Sequence, residues 1–109
     1  MEFRKVTAII QPLVLEKVER ALRALHGPGV SVTKVKGFGE YADFYTSDWM
    51  VTHVRVEVFV GEGRAEEIAS AIMDAAHTGI EGDGIVAILP VETVYHIRTK
   101  RKCRRDVCD

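Results

Sequence analysis

The groups suited to chemistry gather in three stretches of the chain. In His77-Thr78-Gly79-Ile80-Glu81-Gly82-Asp83-Gly84, three glycines stand close together between a segment of helical periodicity and one of strand character. Glycine admits positive φ and lets other groups approach its backbone, so such a turn can present several N–H groups to an anion or simply reverse the chain. It is neither a P-loop nor a dinucleotide fingerprint, because both need a strand, then the glycines, then a helix. The second stretch, between Gly37 and Thr52, holds three acids (Glu40, Asp43, Asp48), no base and the aromatics Phe38, Tyr41, Phe44, Tyr45 and Trp49. Trp49 and Met50 read as the start of a strand, which leaves Asp43, Phe44 and Tyr45 as candidate partner contacts. The third runs from Arg98 to the end, with six Lys or Arg against two Asp. It carries both cysteines, Cys103 and Cys108, at a spacing that a disulfide can close or that leaves two thiols on a tail.

Other chemistry finds little support. His26, His53, His77 and His96 show no HxH or HxxxH spacing, and there is no CxxC, so no metal site is expected. The competing reading is a metal-binding protein in which His53 joins Asp43 or Asp48. No paired carboxylates and no nucleophile with its base stand out, so the chain is not expected to be an enzyme.

The elements that must position these groups are legible from periodicity. Lys5 to Gln11 is a β-branched, apolar strand stopped by Pro12. Val14, Leu15, Val18, Ala21, Leu22 and Leu25 recur at helical spacing, and after Gly27-Pro28-Gly29 a second strand runs from Val30 to Lys36. His53 to Val60 alternates, with valines at 54, 56, 58 and 60 against His53, Arg55, Glu57 and Phe59. Ala65, Ile68, Ala69, Ile72, Met73 and Ala76 mark a second helix, Ile85 to Leu89 a fourth strand, and Thr93 to Thr99 a short last strand. This order predicts an α+β, ferredoxin-like βαββαβ domain: an antiparallel sheet with both helices on one face. The face with Arg55, Glu57 and Phe59 is too mixed for open solvent and should meet other subunits or a ligand.

At 109 residues one domain is expected, with residues 1–99 as its body and 100–109 as a basic, cysteine-containing tail. A net charge of −1 argues against a generally basic nucleic-acid binder. No apolar run approaches the ~18 residues of a membrane span and the start does not resemble a signal peptide, so a cytoplasmic protein without direct membrane insertion is expected.

Three separated motifs, Lys34-Val35-Lys36-Gly37-Phe38-Gly39, the turn His77 to Gly84, and Leu89-Pro90-Val91-Glu92 with Ile97-Arg98-Thr99, together resemble the PII signal-transduction protein family over residues 4–99. The resemblance implies a homotrimer whose intersubunit clefts bind an adenine nucleotide as effector, with no obligatory cofactor. It also implies a T-loop, here about residues 40–52, that engages a membrane transporter or its regulator. Ile9 and Ser31 match positions lining the adenine pocket, as do Glu57 and Phe59. Gly37, Phe38 and Gly39 match the T-loop base, and His77, Thr78, Gly82, Asp83 and Gly84 the phosphate-receiving turn. His96 and Arg98 match two C-terminal arginines that hold phosphates across the subunit boundary. The cysteine pair resembles the redox-active tail of carboxysome- and bicarbonate-associated PII-like proteins, although those usually place glycine and proline between the cysteines.

Departures from the family pattern shift the expected ligand. The lysine after Asp-Gly is Ile85, arginines are replaced by His77 and His96, and Glu40 stands where an arginine is common. With fewer cations for a terminal phosphate, ADP or AMP is expected over ATP. Tyr41 replaces the T-loop glutamine and His53 the lysine that cradle 2-oxoglutarate, so a standard nitrogen sensor is not expected. The T-loop is short, and Tyr45 lacks the context of the family's modified tyrosine.

Overall fold

The computed structural model describes residues 3–25, 29–37 and 51–104. β1 (Phe3–Ile10) ends before Pro12, which opens a 3-10 turn (Pro12–Val14) leading into α1 (Leu15–Ala24). Proline suits that place because its missing N–H would be unpaired in a first helical turn anyway. β2 (Val30–Gly37) and β3 (Val51–Gly61) follow, then a second 3-10 turn, α2 (Ala65–Ala76) and β4 (Gly84–Val91). The sheet order is β2-β3-β1-β4 with every neighbouring pair antiparallel. This is the expected ferredoxin-like arrangement.

Alternation in β3 decides which face is covered. Val54, Val56, Val58 and Val60 are buried, together with Val6, Ala8 and Ile10 of β1. They pack under Val18 and Leu22 of α1 and under Ile68, Ala69, Ile72, Ala75 and Ala76 of α2. Four buried alanines along α2 bring that helix close to the sheet. Each fully buried branched side chain contributes about 1.5–3 kcal/mol. The end of α1 is held by the Arg64 guanidinium, which donates to the Leu25 carbonyl at 2.6 Å and satisfies a C-terminal acceptor.

The chain after β4 departs from expectation. β4 runs on through Pro90 to Val91, which an edge strand tolerates because the missing N–H deprives no neighbour. Residues 93–99 do not form one strand. β5 (Tyr95–His96) instead pairs with β6 (Arg101–Lys102) in a hairpin separate from the main sheet. Its turn is closed by the Lys100 N–H donating to the His96 carbonyl at 2.8 Å, with Lys100 at φ 59°. Pairing with so near a segment closes a much shorter loop than joining a sheet edge would. The boundary drawn after residue 99 falls within that turn. Cys103 is buried and disulfide-bonded, and its N–H donates to the Val94 carbonyl at 2.8 Å. Cys108, the one other cysteine of the sequence, lies outside the described residues. Among the described residues no helix is long and apolar enough to cross a membrane.

Candidate functional site

The strand registers bring several predicted residues to one end of the sheet. Ile10, the last residue of β1, pairs with Val54 near the start of β3 and with Gly84 at the start of β4, while Gly37 pairs with Val51. α2 also ends there, so the turn 77–84 and the roots of the predicted T-loop share that end. Phe38, Gly39 and the partner candidates Asp43, Phe44 and Tyr45 lie outside the described residues.

The turn is built around its own carboxylate. Asp83 accepts from the Thr78 N–H at 2.8 Å, from the Gly79 N–H at 3.0 Å and from the Thr78 hydroxyl. The Ile80 N–H in turn donates to the Thr78 hydroxyl oxygen at 3.2 Å. Desolvation works to raise the Asp83 pKa, but the hydrogen bonds from Thr78 and Gly79, with His77 nearby, outweigh it and hold the carboxyl below its ordinary 3.8. Asp83 therefore occupies two of the backbone donors that the turn could offer an anion. The Asp83 N–H closes the turn over Glu81 and Gly82, while the N–H groups of Glu81 and Gly82 have no acceptor within hydrogen-bond geometry among the described residues. An anion would meet that later segment.

Glycine is obligatory at the exit of the turn. Gly84 has φ +105°, and a Cβ there would lie 1.8 Å from the Ile9 carbonyl oxygen. Gly82, also at positive φ, is buried, and its carbonyl accepts from Gln11 Nε2 at 2.7 Å. Between the last turn of α2 and the start of β4 opens a cavity of about 230 Å³, walled by Ile10, Met73, Ala76 and Val86, with His77 and Asp83 also lining it.

On the uncovered face of the sheet, Ile9 stands between Arg55 and Ile85, and Ser31 is opposite Glu57. Glu57 pairs with Lys5 at 3.0 Å and lies 3.8 Å from Arg55 Nε. Phe59 is half exposed beside Lys5. His53, at the start of β3, is fully buried. His96, half-buried, and Arg98, exposed, are carried by the hairpin segment that follows the far end of β4, where Val91 pairs with Phe3. The turn and these two residues thus belong to opposite ends of β4 within one chain. No group of three or more His, Cys, Asp and Glu side chains converges among the described residues, and Asp43 and Asp48 lie outside them.

No signal in the sequence marks Gln11 or Lys5 as a site residue, whereas Arg55 is legible on the mixed face of β3. Spacing along one strand could not disclose Gln11, whose bond spans 71 positions. Lys5 becomes discernible as a charge opposite to that of Glu57 once the β1–β3 register is known, and Arg55 lies two residues from Glu57 on β3 itself.

Residues 3–101 match the family model "Nitrogen regulatory protein P-II". The chain is 41% identical over 107 residues to the nitrogen regulatory protein GlnK2 of Haloferax mediterranei, covering 91% of this chain and 86% of that protein. It is 38% identical over 106 residues to the nitrogen regulatory protein P-II of Azospirillum brasilense, covering 91% and 95%. The crystal structure of Arabidopsis thaliana PII bound to citrate superposes with a TM-score of 0.81 at 36% identity, covering 93% of this chain and 88% of that one.

Proposed function

The chain belongs to the nitrogen regulatory protein P-II family, whose members are regulators and not enzymes, and from that premise we propose a homotrimer that binds an adenine nucleotide in its intersubunit clefts. The observation that carries this reading is the placement of the groups. A turn pre-formed by the Asp83 carboxylate stands at one end of β4, while His96 and Arg98 follow the other end. A second copy can bring its hairpin to the first copy's turn, where one chain alone holds the two apart. The uncovered sheet face, with Ile9, Ser31, Glu57 and Phe59, supplies the surface that trimerisation covers and the wall against which adenine rests.

ADP or AMP binds better than ATP, because Ile85 offers no charge beside Gly84 and His77 stands where the family has an arginine. Nucleotide shifts the population of T-loop states, and Asp43, Phe44 and Tyr45 then engage a membrane transporter or its regulator from the cytoplasm. Cys103 and Cys108 make the tail responsive to redox state. That Cys103 is both buried and disulfide-bonded supports this part of the reading.

Calorimetry with ATP, ADP and AMP, each with and without bicarbonate and 2-oxoglutarate, tests the proposal. ADP or AMP should bind more tightly than ATP, and Ile85→Lys should raise ATP affinity about tenfold by restoring one charge-assisted contact. Failure of all three nucleotides to bind would overturn the nucleotide reading. Tight, cooperative binding of ATP with 2-oxoglutarate would overturn the argument from Tyr41 and His53.

A further inference from the structure

We infer that Gln11 is a positioning residue for the phosphate-receiving turn: its amide fixes the Gly82–Asp83 peptide, and with it the turn whose backbone donors at 81 and 82 receive a phosphate. The inference rests on the proposed nucleotide site and adds a residue to it. Gln11 follows β1 and precedes Pro12, so its backbone is set by the strand on one side and by a proline-led turn on the other. From there Nε2 donates to the Gly82 carbonyl at 2.7 Å, across 71 positions of sequence.

The orientation of this bond determines what the turn can offer. In a trans peptide the C=O of one residue and the N–H of the next point in opposite directions, and no peptide of the described chain is cis. Holding the Gly82 carbonyl toward Gln11 therefore turns the Asp83 N–H away from β1. The Asp83 carboxylate secures the front of the turn through Thr78 and Gly79, and the Ile9 carbonyl packs against Gly84 at its exit. Gln11 is the clamp between them, at a glycine whose φ of +97° gives the backbone wide freedom. Without it the 82–83 peptide can rotate, and the turn over 81 and 82 loosens.

The experiment compares wild type, Gln11→Ala and Gln11→Lys with ADP and with adenosine, and measures amide hydrogen exchange along 79–84. Lysine keeps an N–H donor of similar reach, whereas alanine removes it. Gln11→Ala should weaken ADP about fivefold, the worth of one hydrogen bond, and leave adenosine within about twofold. Its 82–84 amides should exchange several-fold faster than those of wild type, with the far-ultraviolet spectrum unchanged. Gln11→Lys should recover both properties. Equal loss of ADP and adenosine, or unchanged ADP affinity and exchange in Gln11→Ala, overturns the inference. If wild type binds no nucleotide, the nucleotide reading falls along with the phosphate role, and the exchange rates alone then decide whether Gln11 holds the turn.

Discussion

Replacing Gly84 by alanine tests the geometry of the site more severely than removing any of its side chains. The new methyl would sit 1.8 Å from the Ile9 carbonyl oxygen and 2.9 Å from its carbon, both backbone atoms of the paired strand. Relief requires β4 to withdraw from β1 by about 1.5 Å at this point, since non-bonded heavy atoms need about 3.4 Å or more. That displacement forfeits ladder hydrogen bonding there, about 1 kcal/mol net for each bond lost. A non-glycine residue at φ +105° adds about 1–2 kcal/mol of backbone strain. With some loosening of the neighbouring Ile10 and Val86 packing, the expected loss is about 3–4 kcal/mol. For a domain whose total stability is about 5–15 kcal/mol, that is a large fraction. Thermal unfolding at fixed protein concentration should show Tm lowered by about 15 °C. Gly63→Ala is the internal control, because a Cβ there meets nothing within 4 Å, and its stability should stay within about 0.5 kcal/mol of wild type. A Gly84→Ala protein that melts within about 3 °C of wild type would refute the reasoning.

The remaining predictions concern the turn and the tail. Because the folded pKa of Asp83 is depressed, its stabilisation is fully present above the unfolded value near 3.8 and is lost as pH falls through the lower folded value. Asp83→Ala should therefore be destabilised by a constant amount between pH 5 and 8, with the gap to wild type closing below about pH 4. Denaturant titrations at each pH measure this, and a gap that persists undiminished in acid would contradict it. Reducing the Cys103 disulfide should speed proteolysis around Arg101 to Arg104 without changing the helical signal or the core's melting, because the buried core lies under α1 and α2. Loss of the whole fold on reduction would show that the hairpin carries more of the stability than its packing indicates.

The architecture was readable because its determinants are local. The valines at 54, 56, 58 and 60 reveal a strand with one covered face, and the alanine- and isoleucine-rich stripe from Ala65 to Ala76 reveals the helix that covers it. Each signal lies within a dozen residues, and the two periodicities cannot be mistaken for one another. The tail was less readable. Tyr95 and His96 have strand character, but whether they join the sheet or pair with Arg101 and Lys102 depends on which partner lies nearer in space.

The sequence by itself determined the βαββαβ order, the identity of the core and the location of the glycine-rich turn, because hydrophobic period and the conformational freedom of glycine are properties of short segments. Only the tertiary structure decided what that turn does with its donors. Asp83 takes the N–H groups of Thr78 and Gly79, Gln11 takes the Gly82 carbonyl, and Ile9 leaves no room for a side chain at residue 84. Two of these three contacts depend on β1 lying beside β4, a pairing between segments some 70 residues apart. Hydrogen bonds and steric limits act over a few ångströms of space, and those ångströms exist only after the sheet has formed.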